Sequence, residues 1–241
     1  MQFETIVDSH SHWGPSITLH TNVSTREIMR QQEETGVTHV VLIPFPSTAI
    51  MSNEINIELL NETRKIKHFV PYHYIGEDFS PIPDEYRGGK WHWMRGIQDS
   101  SSNYRVLDDP DLPRLIEQLR QADKPIVFEE ELDFTERFVA MAPELKLIIP
   151  HLGLLGGDPM DFLASFKNKP NIYFDTALAD RSSILRFVKT IGPERVFFGS
   201  DIPFGSMRGE LQKVMDLDIP DADKELILSG NIIRLARLAI E

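Results

Sequence analysis

Short apolar runs recur along the chain at intervals that suit a strand followed by a helix. They fall at residues 5–8, 39–44, 68–75, 94–98, 125–129, 145–150, 171–175 and 195–200. Several, such as Val40-Val41-Leu42-Ile43 and Leu147-Ile148-Ile149, are continuous rather than alternating, the pattern of parallel strands covered on both faces. Amphipathic stretches separate most of them. Ser24-Thr25-Arg26-Glu27 forms a capping box that predicts a helix ending at Gly36. Further helices are predicted over 52–65, 110–122, 134–141, 159–167, 181–191 and 222–240, with Pro110 suited to a first turn. Segment 76–91 holds two prolines and the pair Gly88-Gly89, so it predicts a loop or a short helix.

Eight strand units alternating with helices predict an α/β chain folded as a compact single-domain (β/α)8 TIM barrel, with a degenerate helix after strand three. Such barrels take about 250 residues, so 241 residues leave little insertion. A doubly wound open sheet would place a glycine-rich phosphate turn after its first strand, where this chain has Ser9-His10-Ser11-His12. With no internal repeat or linker, residues 1–241 are expected to form one domain.

Composition narrows the function. Lys and Arg total 25 against 37 Asp and Glu, a net charge of -12 that disfavours nucleic acid and anionic membranes as partners. There is no cysteine, so a metal must be held by imidazole and carboxylate. No basic leader or membrane-length apolar run is present, which sets a cytoplasmic location as the expectation.

Side chains alternate across a strand, so His10 and His12 point the same way at the end of the first strand and can share one ion. The other ligand-capable residues sit at the same ends of their strands: Glu129-Glu130-Glu131 after strand five, His151 after strand six, Asp201 after strand eight. Each has a structural alternative: a turn cap for Asp201, a bonded core position for His151, a solvated face for the glutamates. Their common end favours a metal site, because chemistry in such barrels lies at the C-terminal ends of the strands.

Asp8-Ser9-His10-Ser11-His12, 124–129, Pro150-His151-Leu152-Gly153, 171–176 and 194–204 together make the chain resemble the amidohydrolase superfamily. The closest resemblance is to its amidohydrolase-related (amidohydrolase 2) branch of small metal-dependent hydrolases and decarboxylases. The resemblance implies that the first-strand histidines and Asp201 hold a divalent metal, with Asp201 also handling a proton. One slot departs: Glu129 stands where the branch usually has a histidine ligand, and is expected to serve as ligand itself. Glu131 shares its face and can bridge a second ion, whereas Glu130 is expected to point away.

The expected function is hydrolysis of an amide, ester or lactone bond in a small molecule by a metal-activated water, with Asp201 and His151 catalytic. The expected metal set is His10, His12, Glu129, His151 and Asp201, with zinc first, manganese or magnesium as alternatives, and one or two ions. Nonoxidative decarboxylation is the alternative, and a binding barrel without catalysis the third reading. His73, Trp13 and Arg208 are expected to contact substrate. Trp91-His92-Trp93 precedes the predicted fourth strand and is assigned to the opposite end. The apolar segment 226–240 packs either on the barrel or in a homo-oligomer.

Overall fold

The computed structural model describes residues 3–240. Eight parallel strands follow one another round a curled sheet in chain order: β1 (Val7–Ser16), β2 (His39–Pro44), β3 (Phe69–Tyr74), β4 (Gly88–Trp91), β5 (Ile126–Phe128), β6 (Leu147–Ile149), β7 (Ile172–Asp175) and β8 (Val196–Phe197). A ninth, Thr21–Val23, pairs antiparallel with β1. Helices Thr25–Thr35, Glu54–Thr63, Leu112–Ala122, Leu132–Met141, Pro159–Phe166 and Arg181–Ile191 link successive strands. The Ser24 hydroxyl caps the first, accepting from Glu27 N at 3.2 Å, and Gly36 ends it at φ +79°. Among the described residues, 75–87 contain no helix, and no helix is long and apolar enough to cross a membrane.

The fourth strand lies elsewhere than the apolar pattern indicates. Gly88-Gly89 opens β4, while residues 94–98 enter a small hairpin of Met94–Gly96 with Asp99–Ser102. The glycines fit because their neighbours leave no room: a Cβ at Gly88 would lie 2.4 Å from the Tyr72 ring and 2.7 Å from Pro125 O. Trp91-His92-Trp93 therefore ends a strand instead of preceding one, and moves to the side where the functional groups gather.

The concave face is filled by Val7, Val41, Ile43, Val70, Tyr72, Val127, Ile148 and Phe197. Ile232, Leu235 and Ala236 pack into the same cluster, so the segment expected to be one long helix lies against the start of the sheet. It is divided into Asp221–Glu225, a π turn at Leu226–Gly230 and Asn231–Ala236.

Beyond β8 the chain returns to β1. Ser9 N donates to Phe198 O at 2.9 Å, Asp201 N to His10 O at 2.7 Å and His12 N to Ile202 O at 3.0 Å. Asp8 pins this junction. Its Oδ1 accepts from Ser200 N (2.9 Å) and His10 N (3.1 Å), and its Oδ2 accepts from the hydroxyls of Ser11 (2.7 Å) and Ser200. Burial pushes this carboxyl up to about 6 against those hydrogen bonds.

Asp8→Asn is expected to cost about 1 kcal/mol or less, because the amide oxygen keeps both N–H donors and its NH2 can donate to the two hydroxyl oxygens. Asp8→Ala leaves those donors buried and unpaired and is expected to cost about 3 kcal/mol or more. Urea unfolding of the two variants measures this, and equal losses would contradict the hydrogen-bond account.

Candidate metal centre

Four buried side chains from three separate strand ends converge above the concave face. His10 and His12 come from β1, His151 from the turn after β6, and Asp201 from the junction after β8. Asp201 Oδ1 lies 3.2 Å from His12 Nε2 and 3.5 Å from His10 Nε2, and its Oδ2 lies 3.2 Å from His151 Nε2. Two of the four hold left-handed backbone, His151 at φ 55° and Asp201 at φ 51°, as does Leu152 beside His151 at φ 55°. Such conformations cost on the order of 1–3 kcal/mol each in a non-glycine residue and cluster at functional sites. Hydrogen bonds hold them: His151 N donates to Asp175 Oδ1 at 2.9 Å, and Asp201 N to the carbonyl of His10.

Asp175, at the end of β7, also sets the His10 ring. Its Oδ2 lies 3.0 Å from His10 Nδ1, so that nitrogen carries the proton and donates, and Nε2 presents its lone pair to the centre. His10 Nε2, Asp201 Oδ1 and both ring nitrogens of His151 are buried without a hydrogen-bond partner. Electron-pair donors that crowd together yet bond to nothing fit a shared cation. His10, His12 and Asp201 each offer an atom within 4.8 Å of the others, and imidazole with carboxylate is a donor set suited to zinc and neighbouring divalent ions. Burial pulls the His12 imidazole down, toward the neutral form a ligand needs. Burial pushes Asp201 up, but the facing His10, His12 and His151 more than offset it and hold the carboxylate ionised.

Glu129 stands outside this group. It faces inward, two residues beyond Val127, but its carboxylate is taken by the buried ammonium of Lys90 at the end of β4. Burial raises Glu129, but Lys90, His92 and His151 together outweigh that and hold it well below the usual carboxylate range. Glu130 does not turn to the solvent side: it is buried, its Oε1 accepts from Trp93 N at 2.7 Å, and burial pushes it up to about 8. Glu131 bonds the Tyr104 hydroxyl at 3.0 Å. All three glutamates line a cavity of about 530 Å³ that opens over His12 and Asp201. His92 lines it as well, its Nδ1 2.6 Å from Glu129 O. Lys90 and His92 escape the sequence reading because it started strand four too late, and the buried Glu130 escapes it because β5 ends at Phe128, so that strand alternation no longer sets its direction.

The amidohydrolase family model (Amidohydro_2) matches residues 101–238, more than half of the chain. The chain belongs to the amidohydrolase family. No curated protein matches it by sequence. Solved structures share the fold of this amidohydrolase. A 2,6-dihydroxybenzoate decarboxylase from Rhizobium superposes with a TM-score of 0.77 at 14% identity, covering 98% of this chain and 99% of that one. A Burkholderia multivorans amidohydrolase with bound zinc gives 0.77 at 16%, covering 98% and 100%. A candidate 2-pyrone-4,6-dicarboxylic acid hydrolase from Pseudomonas putida gives 0.77 at 15%, covering 100% of both chains.

The three side chains expected to contact substrate do not line the amidohydrolase's cavity. Trp13 is buried, its Nε1 donating to Thr25 Oγ1 at 3.2 Å. Arg208 sits on helix Met207–Met215 and donates to Glu34 O at 3.0 Å, away from the strand ends. His73 alternates with the inward Val70 and Tyr72, so its ring turns outward against Tyr86 at 4.9 Å.

Burial pushes the His73 imidazole down to about 4, against about 6.5 in the unfolded chain. Its contribution to stability is thus complete above about pH 6.5 and is lost as pH falls toward 4, where only the unfolded chain takes the proton. His73→Phe is expected to remove roughly 2–3 kcal/mol of the loss in unfolding free energy across that window. Identical pH profiles for the two proteins in urea titrations would contradict this assignment.

Proposed function

We propose that this amidohydrolase hydrolyses an amide, ester or lactone bond in a small molecule. We read the sheet as a closed (β/α)8 barrel, an interpretation supported by the Ser9–Phe198, His10–Asp201 and His12–Ile202 backbone bonds. The metal would be held by His10, His12 and Asp201, with zinc the first choice for this donor set. When bound, such an ion supplies Lewis acidity at the scissile carbonyl and lowers the pKa of water.

The observation that carries the proposal is the division of labour across one carboxylate. Asp201 Oδ1 faces His10 and His12, Oδ2 faces His151, and Asp201 and His12 line the cavity. Asp201 takes a proton from the attacking water as the new C–O bond forms and returns it to the leaving atom as the old bond breaks. We assign to His151, whose Nε2 lies 3.2 Å from Asp201 Oδ2, the role of donating to the carbonyl oxygen as charge develops there. Asp175 keeps His10 in one tautomer and holds the His151 backbone. Glu129 and Lys90 neutralise each other, which favours hydrolysis over decarboxylation, since the ammonium is not offered to a substrate carboxylate.

Elemental analysis of protein purified without chelator or metal-affinity tag tests the reading. About one equivalent of divalent metal is expected in wild type and little in His10→Ala, while Asp201→Asn should lower kcat on a responsive ester or lactone by about 10²–10⁴. A folded wild type that takes up neither zinc nor manganese would sink the hydrolase and leave a binding barrel.

A further inference from the structure

A second cavity, of about 260 Å³, lies at the opposite end of the sheet from the metal centre, beside the starts of β2 and β3. It opens where the outer layer is interrupted, since residues 75–87 supply no helix after β3. Three separate segments enclose it: the end of helix Glu54–Thr63 with Arg64 and Lys67, the helix-free stretch with Glu85 and Arg87, and the C-terminal residues Leu238 to Ile240. Its floor is apolar. Phe69 and Val70 are buried there, and Leu60, Leu238 and Ile240 are half-buried, packed on the two core clusters.

The charges around this floor are mostly cationic, in a chain whose net charge is -12. Arg64 is already engaged: it follows the helix end and faces Glu85, the one acid of the lining, at 3.7 Å. Lys67 and Arg87 are exposed and, among the described residues, make no ion pair and no side-chain hydrogen bond. His39 adds no charge, because burial and the nearby His68 pull its imidazole down. Solvated lysines and arginines are common on surfaces. Two that line one apolar hollow give it two kinds of complementarity, to an anion and to a hydrocarbon. The overall negative charge disfavours a polyanion, and the hollow lies just below the range of about 300–1,000 Å³ usual for drug-sized ligands.

We infer that this cavity binds a small aliphatic carboxylate, its head group held by Lys67 and Arg87 and its alkyl chain laid on Leu60, Phe69 and Leu238. The arginine fork receives a carboxylate through two parallel hydrogen bonds, the lysine meets it as a point charge, and each methylene removed from water adds affinity. Such a ligand bridges β3 and the C-terminal segment that closes the start of the sheet. The site depends on neither the metal nor the hydrolase reading, so the two fail separately.

Methyl NMR spectra recorded at pH 7 while adding hexanoate, hexanamide, acetate or inorganic phosphate test this. Hexanoate is expected to shift the methyls of Leu60, Val70, Leu238 and Ile240 and to bind tenfold or more tighter than each of the other three. The double variant Lys67→Glu, Arg87→Glu is expected to weaken hexanoate tenfold or more and to leave hexanamide unchanged, and its unshifted methyls away from the cavity show that it folds. Equal affinity for acetate or phosphate reduces the site to bare charge, and equal affinity for hexanamide removes the part given to the cations. Either result overturns the inference, as does a double variant that binds hexanoate like wild type, or no shift at any hexanoate concentration. Shifts confined to Leu19 and Leu155, which line the cavity over the metal centre, put the carboxylate there and overturn it too.

Discussion

The site depends on a carboxylate that never touches it. Asp8 gathers donors from its own strand and from Ser200, and so fastens the first strand to the chain that follows the eighth. His10 and His12 lie two and four residues beyond it and Asp201 one residue beyond Ser200. Within this short reach, few rotatable bonds separate the pin from the donors it aligns. A buried acid whose lone pairs are nearly all satisfied is a rigid fixture, since moving one partner leaves the others unpaired in a medium where that is expensive.

A second layer surrounds the first. Asp175 bonds His10 Nδ1 with one oxygen and the His151 and Ala177 N–H groups with the other, so a single carboxylate on β7 orients a ring from β1 and a turn from β6. Lys90 and Glu129 add a neutral pair from β4 and β5. The charged groups are thus arranged as a few fully engaged partners around one set of atoms left without any. That contrast, more than the number of histidines, distinguishes a ligand-ready cluster from a polar core.

Much of the fold was legible because parallel strands with both faces covered have a recognisable composition. The continuous apolar runs mark seven of the eight strands, and caps such as Ser24 and Gly36 mark helix ends. The fourth strand was not legible, since its glycines answer to the bulk of Tyr72 and the nearness of Pro125, which are facts of tertiary packing. That misplacement hid Lys90 and His92, while Glu130 was misjudged because β5 ends at Phe128 and alternation stops there. His10, His12, His151 and Asp201 stand out because each lies within a few residues of the end of an apolar run, and the structure brings the four together. Trp13, His73 and Arg208 were chosen for residue type near a strand end. Nothing in type alone tells an inward side chain from an outward one.

The distance along the chain between the parts of the centre governs when it can exist. Asp8 and Ser200 are 192 residues apart, and the segment that seals the start of the sheet lies further on still, at Ile232, Leu235 and Ala236. Closing so long a loop is paid in chain entropy before any of these contacts reward it. On the ribosome, His10 and His12 emerge early and must wait, solvated and without Asp201, until almost the whole chain has been made. The centre is therefore a product of complete folding, and its metal affinity reports on whether the two ends of the sheet have met.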